Sequence, residues 1–218
     1  MHYFFDSAFP SGAYAHSFGF ETFATGTASG DDQAAMDWIE SYMLHSLWHG
    51  DLENVAAIFE LGTSHKSQTL AKVRECDALL HASRSTLEGR HAARQLAQSL
   101  YLAASRLFGA IFPDQLGGTL REPSSVMGVV ALELGWPVRE TRLYYLQSQA
   151  LALTSVLVRH GRIGQFRQLE MMASLRHTAV SLAVSRPRIG RLQTPSQCWQ
   201  LEFDQIAHQH LSPRLFQS

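Results

Sequence analysis

Apolar residues along this chain recur every three or four positions, the spacing that lines one face of an α-helix. Leu52, Val55, Ala56 and Phe59 form one such stripe. Leu70, Val73 and Leu80 form a second, with Ser67 placed as its N-cap. Ser85-Thr86-Leu87-Glu88 reads as a capping box, in which Ser85 and Glu88 satisfy each other's exposed amide hydrogens. Behind it Ala93, Leu96, Leu100, Ala103 and Leu107 predict a long helix. Leu143, Leu146, Ala150, Leu153 and Leu157 predict another, with Pro137 at its first position and Gly161 as its stop. Residues 165–184 read as a further long helix. The segment 32–49 is apolar on most sides, through Ala35, Met36, Trp38, Ile39, Met43, Leu44, Leu47 and Trp48. Such breadth is expected of a helix inside a bundle or at an oligomer interface. No β-branched run alternates with polar residues over a strand's length, so a sheet is not expected.

The breaks fall at 26–31, at 112–123 with Gly117-Gly118 and two prolines, and at 185–196 with Pro187, Gly190 and Pro195. The expected architecture is therefore all-α: a single-domain helical bundle over 1–184, a linker over 185–198, and a C-terminal extension over 199–218. Within the extension, 199–211 is helical at best.

Composition narrows the classes of function. The 218 residues are 45% hydrophobic and 17% charged, with a formal net charge of −1. A chain of this length buries about 70% of its unfolded surface without staples. No overall basic field exists to draw it to nucleic acid or to a membrane surface. Cys76 and Cys198 lie far apart and make neither a CxxC motif nor a disulfide framework. The opening MHYFFDSAFP has no basic-then-apolar leader, and the apolar run 126–134 carries Glu133 and is far below the ~20 residues of a membrane span. A cytoplasmic protein with free thiols is the expectation.

Motifs for chemistry are scarce. There is no GxxxxGK[ST] phosphate loop, no GxGxxG and no GxSxG elbow. His45 and His49 share a helix face at i, i+4, but the HExxH glutamate is missing and they read as ordinary histidines. His208 and His210 would share a side of an extended tail, and imidazole suits nickel, yet no third ligand accompanies them. They read as solvated or partner-facing. Arg186, Arg188 and Arg191 read as a solvated linker or a protein-docking patch.

One stretch goes further. Asp6-Ser7-Ala8-Phe9-Pro10-Ser11-Gly12-Ala13-Tyr14-Ala15-His16-Ser17-Phe18-Gly19-Phe20-Glu21 closely resembles the opening motif of the UreF family, with Phe20 where leucine is usual. Pro10 and Gly12 suit a turn, and Gly19 permits close helix packing. Arg214-Leu215-Phe216-Gln217-Ser218 resembles the family's RLF-x-S terminus. Glu88-Gly89-Arg90 with Ala92-Ala93-Arg94, and 158–165, resemble two internal segments. The departures are Gln209 where glutamate is usual, Glu122-Pro123-Ser124-Ser125 where a histidine is common, and His160 in place of leucine.

The resemblance implies a helical, dimerising, non-enzymatic scaffold. It would sit between a UreD/UreH-like protein and a UreG-like GTPase, dock on apo-urease and support nickel insertion. Nickel would be handled by the complex, with no cofactor bound stably here. Pro10, Gly12, Tyr14, His16, Ser17, Glu21, Arg214, Leu215, Phe216 and Ser218 would be the partner-binding residues. The tail would be mobile when free and order on the UreD-like partner. Two other readings stand beside this one: a helical nickel-binding protein using its histidines, and an enzyme with a dispersed site around Glu21, His16 and Tyr14.

Overall fold

The computed structural model describes residues 16–26, 31–62, 67–109, 111–113, 116–185 and 198–217. Among them every regular element is helical: α1 (Phe20–Thr25), α2 (Asp32–Tyr42), a π-helical segment (Met43–Leu52), α3 (Glu53–Leu61), α4 (Ser67–Ser83), α5 (Leu87–Phe108), α6 (Pro123–Glu133), α7 (Val138–Arg159), α8 (Gln165–Val184) and α9 (Trp199–His208). No described helix is long and apolar enough to cross a membrane, and both cysteines are free.

α6 lies at the centre. Val126, Met127, Val129, Val130 and Ala131 are all buried, between α3, α5 and α7. A helix apolar on every side has to be enclosed, which explains the run at 126–134 without a membrane. Pro123 starts it, and Asn54 of α3 donates to the Ser124 and Ser125 hydroxyls at 3.2 and 2.8 Å. Gly128 lets Ile58 approach, since a Cβ there would sit 3.1 Å from the isoleucine Cδ1.

The segment expected over 32–49 runs on to residue 61 as one helical path. Asp31 caps it, accepting from the amides of Gln33 and Ala34. The π-helical segment then widens the turn, and Met43, Leu47 and Leu52 fall inside together with Asp51. Trp38, Ile39, Met43 and Leu47 are buried by this chain's own elements. Their breadth is accounted for within one chain, so it carries no argument for association.

Two helix starts and one buried face differ from expectation. The N-cap of α5 is Thr86, whose hydroxyl accepts from the Gly89 amide at 3.0 Å. Ser85 and Glu88 form no capping box, because Glu88 is drawn to His208. Along α5 the buried face is Ala92, Ala93, Leu96, Ala97, Leu100 and Ala104, while Leu107 is exposed. A stripe continued by pattern drifts off the true contact line over so many turns. Pro137 is the N-cap of α7 rather than its first residue, and Gly161 turns left-handed (φ 66°) just past the end. α8 occupies the residues expected of it. Its last carbonyls are capped by Arg142, which donates to Leu182, Ala183 and Ser185 at 3.2, 3.1 and 2.9 Å.

A buried charge cluster fastens α4 to the start of α6. Arg84 donates to Glu122 Oε2 from Nε at 2.8 Å and from Nη2 at 2.5 Å, and His81 meets Oε1 at 2.7 Å. Burial alone would raise the Glu122 carboxyl, but Arg84 and then His81 outweigh it and hold it below the ordinary range. Asp51, taking the Tyr145 hydroxyl at 2.7 Å, is pushed up by burial that Arg84 only partly offsets.

α9 packs on α1 through Gly19. That residue has φ 84°, and a Cβ there would lie 2.7 Å from the Gln205 backbone nitrogen and 3.0 Å from the Asp204 carbonyl carbon. Gly161 is also left-handed, but nothing lies within 4 Å of its Cβ position. Gly19→Ala is therefore expected to cost about 3 kcal/mol, backbone strain plus overlap with main chain. Gly161→Ala is expected to cost only about 1 kcal/mol, strain alone. Urea unfolding of the two variants checks the difference.

Candidate functional site

Glu21, in the first turn of α1, is fully buried. A buried carboxylate needs donors, and it finds four. His208 Nε2 reaches Oε2 at 2.7 Å and His160 Nε2 reaches Oε1 at 3.1 Å. The backbone amides of Leu215 and Phe216 donate at 2.7 and 3.2 Å. Burial by itself pushes this carboxyl up. The Leu215 amide, His208 and the Phe216 amide together prevail and hold it below the ordinary glutamate range.

His208 closes α9 and is fully buried. Its second ring nitrogen, Nδ1, faces Glu88 Oε1 at 2.6 Å. Carboxylates only accept, so both nitrogens carry protons in this arrangement and the ring bridges α1 to α5 as a cation. Arg214 Nη1 stands 3.9 Å from the same Glu88 oxygen with its side chain about half exposed. Phe216 is buried under the guanidinium of Arg159, 4.2 Å from the ring centroid. Leu215 points outward and is 56% exposed.

α9 is fastened separately. Thr22 donates to the Asp204 carbonyl at 3.0 Å, and Trp38 Nε1 donates to the Asp204 carboxylate at 2.8 Å. The Thr86 hydroxyl that caps α5 also donates to Gln205. The opposite face of α9 carries Trp199, Phe203 and Ile206 at i, i+4, i+7, and all three are exposed, by 69%, 63% and 50%. That is a second apolar stripe on one short helix, with no described residue covering it.

The structure thus brings Glu21, Arg214, Leu215 and Phe216 together, and sets His16 and Ser17, both buried, on the approach to α1. Pro10, Gly12, Tyr14 and Ser218 lie outside the described residues, as do Arg186, Arg188 and Arg191. The tail is not free: its backbone is tied to Glu21. His208 is not an extended-tail imidazole either, because it is helical and both its nitrogens face carboxylates. Among the described residues no group of three or more His, Cys, Asp or Glu is arranged to hold a metal ion. His45 is exposed and His49 half-buried. Three members of the site were not expected in it. Glu88 was read as half of a capping box, His160 as a departure and His208 as a surface residue. Only the positions of Glu88 and His160 inside motif-like segments marked them.

The sequence model of the UreF family matches residues 30–176, about two thirds of the chain. The chain belongs to the UreF family. Across nearly its whole length it is also similar to individual UreF proteins. It is 26% identical over 227 residues to the urease accessory protein UreF of Paenarthrobacter aurescens (strain TC1), covering 98% of this chain and 94% of that protein. To the urease accessory protein UreF of Geobacillus kaustophilus (strain HTA426) it is 25% identical over 215 residues, with the same coverage. At 98% coverage the alignments with these UreF proteins extend past the family match at both of its ends.

The lowered carboxyl of Glu21 gives a signed expectation. Its contribution to stability is complete above the ordinary glutamate range and is lost as pH falls through its depressed folded value. Glu21→Gln should cost ~2–4 kcal/mol at neutral pH, leaving His208 and two amides poorly paired. The gap in melting temperature between the parent chain and the variant should narrow as pH falls below the glutamate range, which a series of thermal melts at stepped pH reads directly.

Proposed function

We propose that this UreF-family chain is a non-enzymatic scaffold of urease maturation. It bridges a UreD/UreH-like protein and a UreG-like GTPase on apo-urease in the cytoplasm, and nickel is handled by the assembly rather than held as a cofactor here. The observation that carries the reading is the meeting of the two motif-bearing ends of the chain. Glu21 from one end holds the backbone of the other, so Arg214 and Leu215 face outward on a fixed support. The exposed Trp199, Phe203 and Ile206 stripe belongs to the same C-terminal segment. Aromatic and arginine side chains of this kind dominate interface energetics once a partner removes water from them.

Within this reading Arg214 and Leu215 make direct contact. Glu21, His16, Ser17 and Phe216 hold the support, and Pro10, Gly12, Tyr14 and Ser218 join the contact set on the resemblance alone. The filled oxygens of Glu21 speak for structure rather than for an enzyme's open site at that position. Self-association belongs to the same reading, with Phe166 and Leu169 of α8 (85% and 64% exposed) as the apolar side chains that favour it. Light scattering at roughly tens of micromolar should give a dimer in exchange with monomer. A strictly monomeric chain that also ignores the UreD-like protein would count against the reading.

The direct test is Arg214→Ala combined with Leu215→Ala. Both side chains are largely exposed, so the melting temperature should hardly change, while co-purification with the UreD-like partner and urease activation should be lost. Deleting 214–218 is a poorer test, because it also removes the buried Phe216 and two amides bonded to Glu21. Normal urease activation by the double variant would overturn the assignment.

A further inference from the structure

The described tail backbone is hydrogen-bonded to α1 through a single carboxylate, and that carboxylate is met by a ring that must be doubly protonated to donate on both sides. His208 has Glu21 Oε2 at 2.7 Å on one nitrogen and Glu88 Oε1 at 2.6 Å on the other. No water reaches it, since its side chain is fully buried. A neutral imidazole has one donor and one lone pair. Losing the ring proton therefore sets a lone pair against a carboxylate oxygen at hydrogen-bond distance. It also leaves two buried carboxylates where two carboxylates and a cation stood. Unpaired buried charge is among the costliest features a structure can carry.

Relief lies in one direction. α9 stays on α1, α2 and α5 through Thr22, Trp38, Thr86 and Gln205, none of which titrates near neutrality. Beyond His208, the hydrogen bonds that tie the described tail backbone to α1 are the Leu215 and Phe216 amides on Glu21. A Glu21 carboxylate turning toward water would drop both. The other charged groups around the ring do not replace its proton. His160, at the end of α7, donates to Glu21 through Nε2 and can do so while neutral. Arg159 lies over the Phe216 ring, and Arg214 stands 3.9 Å from Glu88. His16, on the approach to α1, is shifted by burial toward its neutral form.

We propose that Glu21, His208 and Glu88 form a proton-held clasp on the C-terminal tail, and that loss of the His208 ring proton releases residues 211–217 from the support on which Arg214 and Leu215 face a protein partner. The clasp rests on the reading of the tail as a partner-binding segment, and regulates it.

The test is amide hydrogen exchange at Leu215 and Phe216 in the full chain without any partner, corrected for the intrinsic rate, from about pH 6 to about pH 9, the span in which histidine changes charge. Protection at these two amides should fall at least ~tenfold as pH rises, while amides of α5 and α6 keep theirs. In His208→Gln, protection should be low and independent of pH. In Glu88→Gln, which removes one of the two carboxylates facing the ring, release should move to lower pH. A flat profile in the parent chain overturns the clasp, as does an unshifted profile in Glu88→Gln or an unchanged slope in a folded His208→Gln. Because these measurements need no partner, the clasp fails here, whereas the partner reading fails in the co-purification of the Arg214 and Leu215 variant.

Discussion

A carboxylate taken fully out of water at Glu21 sets the terms for the rest of the molecule. An ionised group in that position is unaffordable unless donors surround it. α1, only six residues long, is not the source of the hydrogen bonds described on that carboxylate. They come from the end of α7, the end of α9 and the backbone of the tail. Satisfying one charge thus brings together segments separated by up to 195 residues. The short first helix thus leans on the last segment, and the last segment leans on the charge that helix carries.

The same rule operates in the core. Arg84, Glu122, His81, Asp51 and Tyr145 form a second buried network that ties α4, α6, α7 and the π-helical segment. The two networks differ in what they fix. The core network holds elements that also share extensive apolar contact, so its charges add register to a packing that hydrophobic burial already favours. The terminal network holds a tail whose described apolar anchor is Phe216, under Arg159. There the polar bonds carry most of the organisation, and changes in protonation act on position as well as on stability.

How much of this was legible in the sequence follows from the range of the interactions. α8 was read at its actual limits because period and composition are local, whereas the apolar run at 126–134 was marked only as too short for a membrane span and not as the central helix α6. Thr86 was passed over as a cap in favour of Ser85. Both residues suit the role, and the choice is made by Gln205, 119 positions away. The π-helical segment left no local mark, since its wide turn serves to bring Asp51 inward beside Arg84 and Tyr145. Gly19 was correctly marked for close packing, but its partner α9 was not foreseen. His208 was misread for the same reason: a histidine near the end of a polar segment looks solvated until the carboxylates from α1 and α5 are set around it. What gave access to the site was the resemblance at both ends of the chain, and the structure supplies its physical meaning.

Family membership and geometry point to a common logic, in which a helical body presents a C-terminal surface whose shape depends on an ion network at its base. The most direct measurement is a double-mutant cycle on Glu21→Gln and His208→Gln, read by urea unfolding of the single and double variants at neutral pH. If the pair joins the two ends as described, the coupling should be at least ~1.5 kcal/mol. Additivity within about 0.5 kcal/mol would mean that the two residues act independently, and would contradict the account.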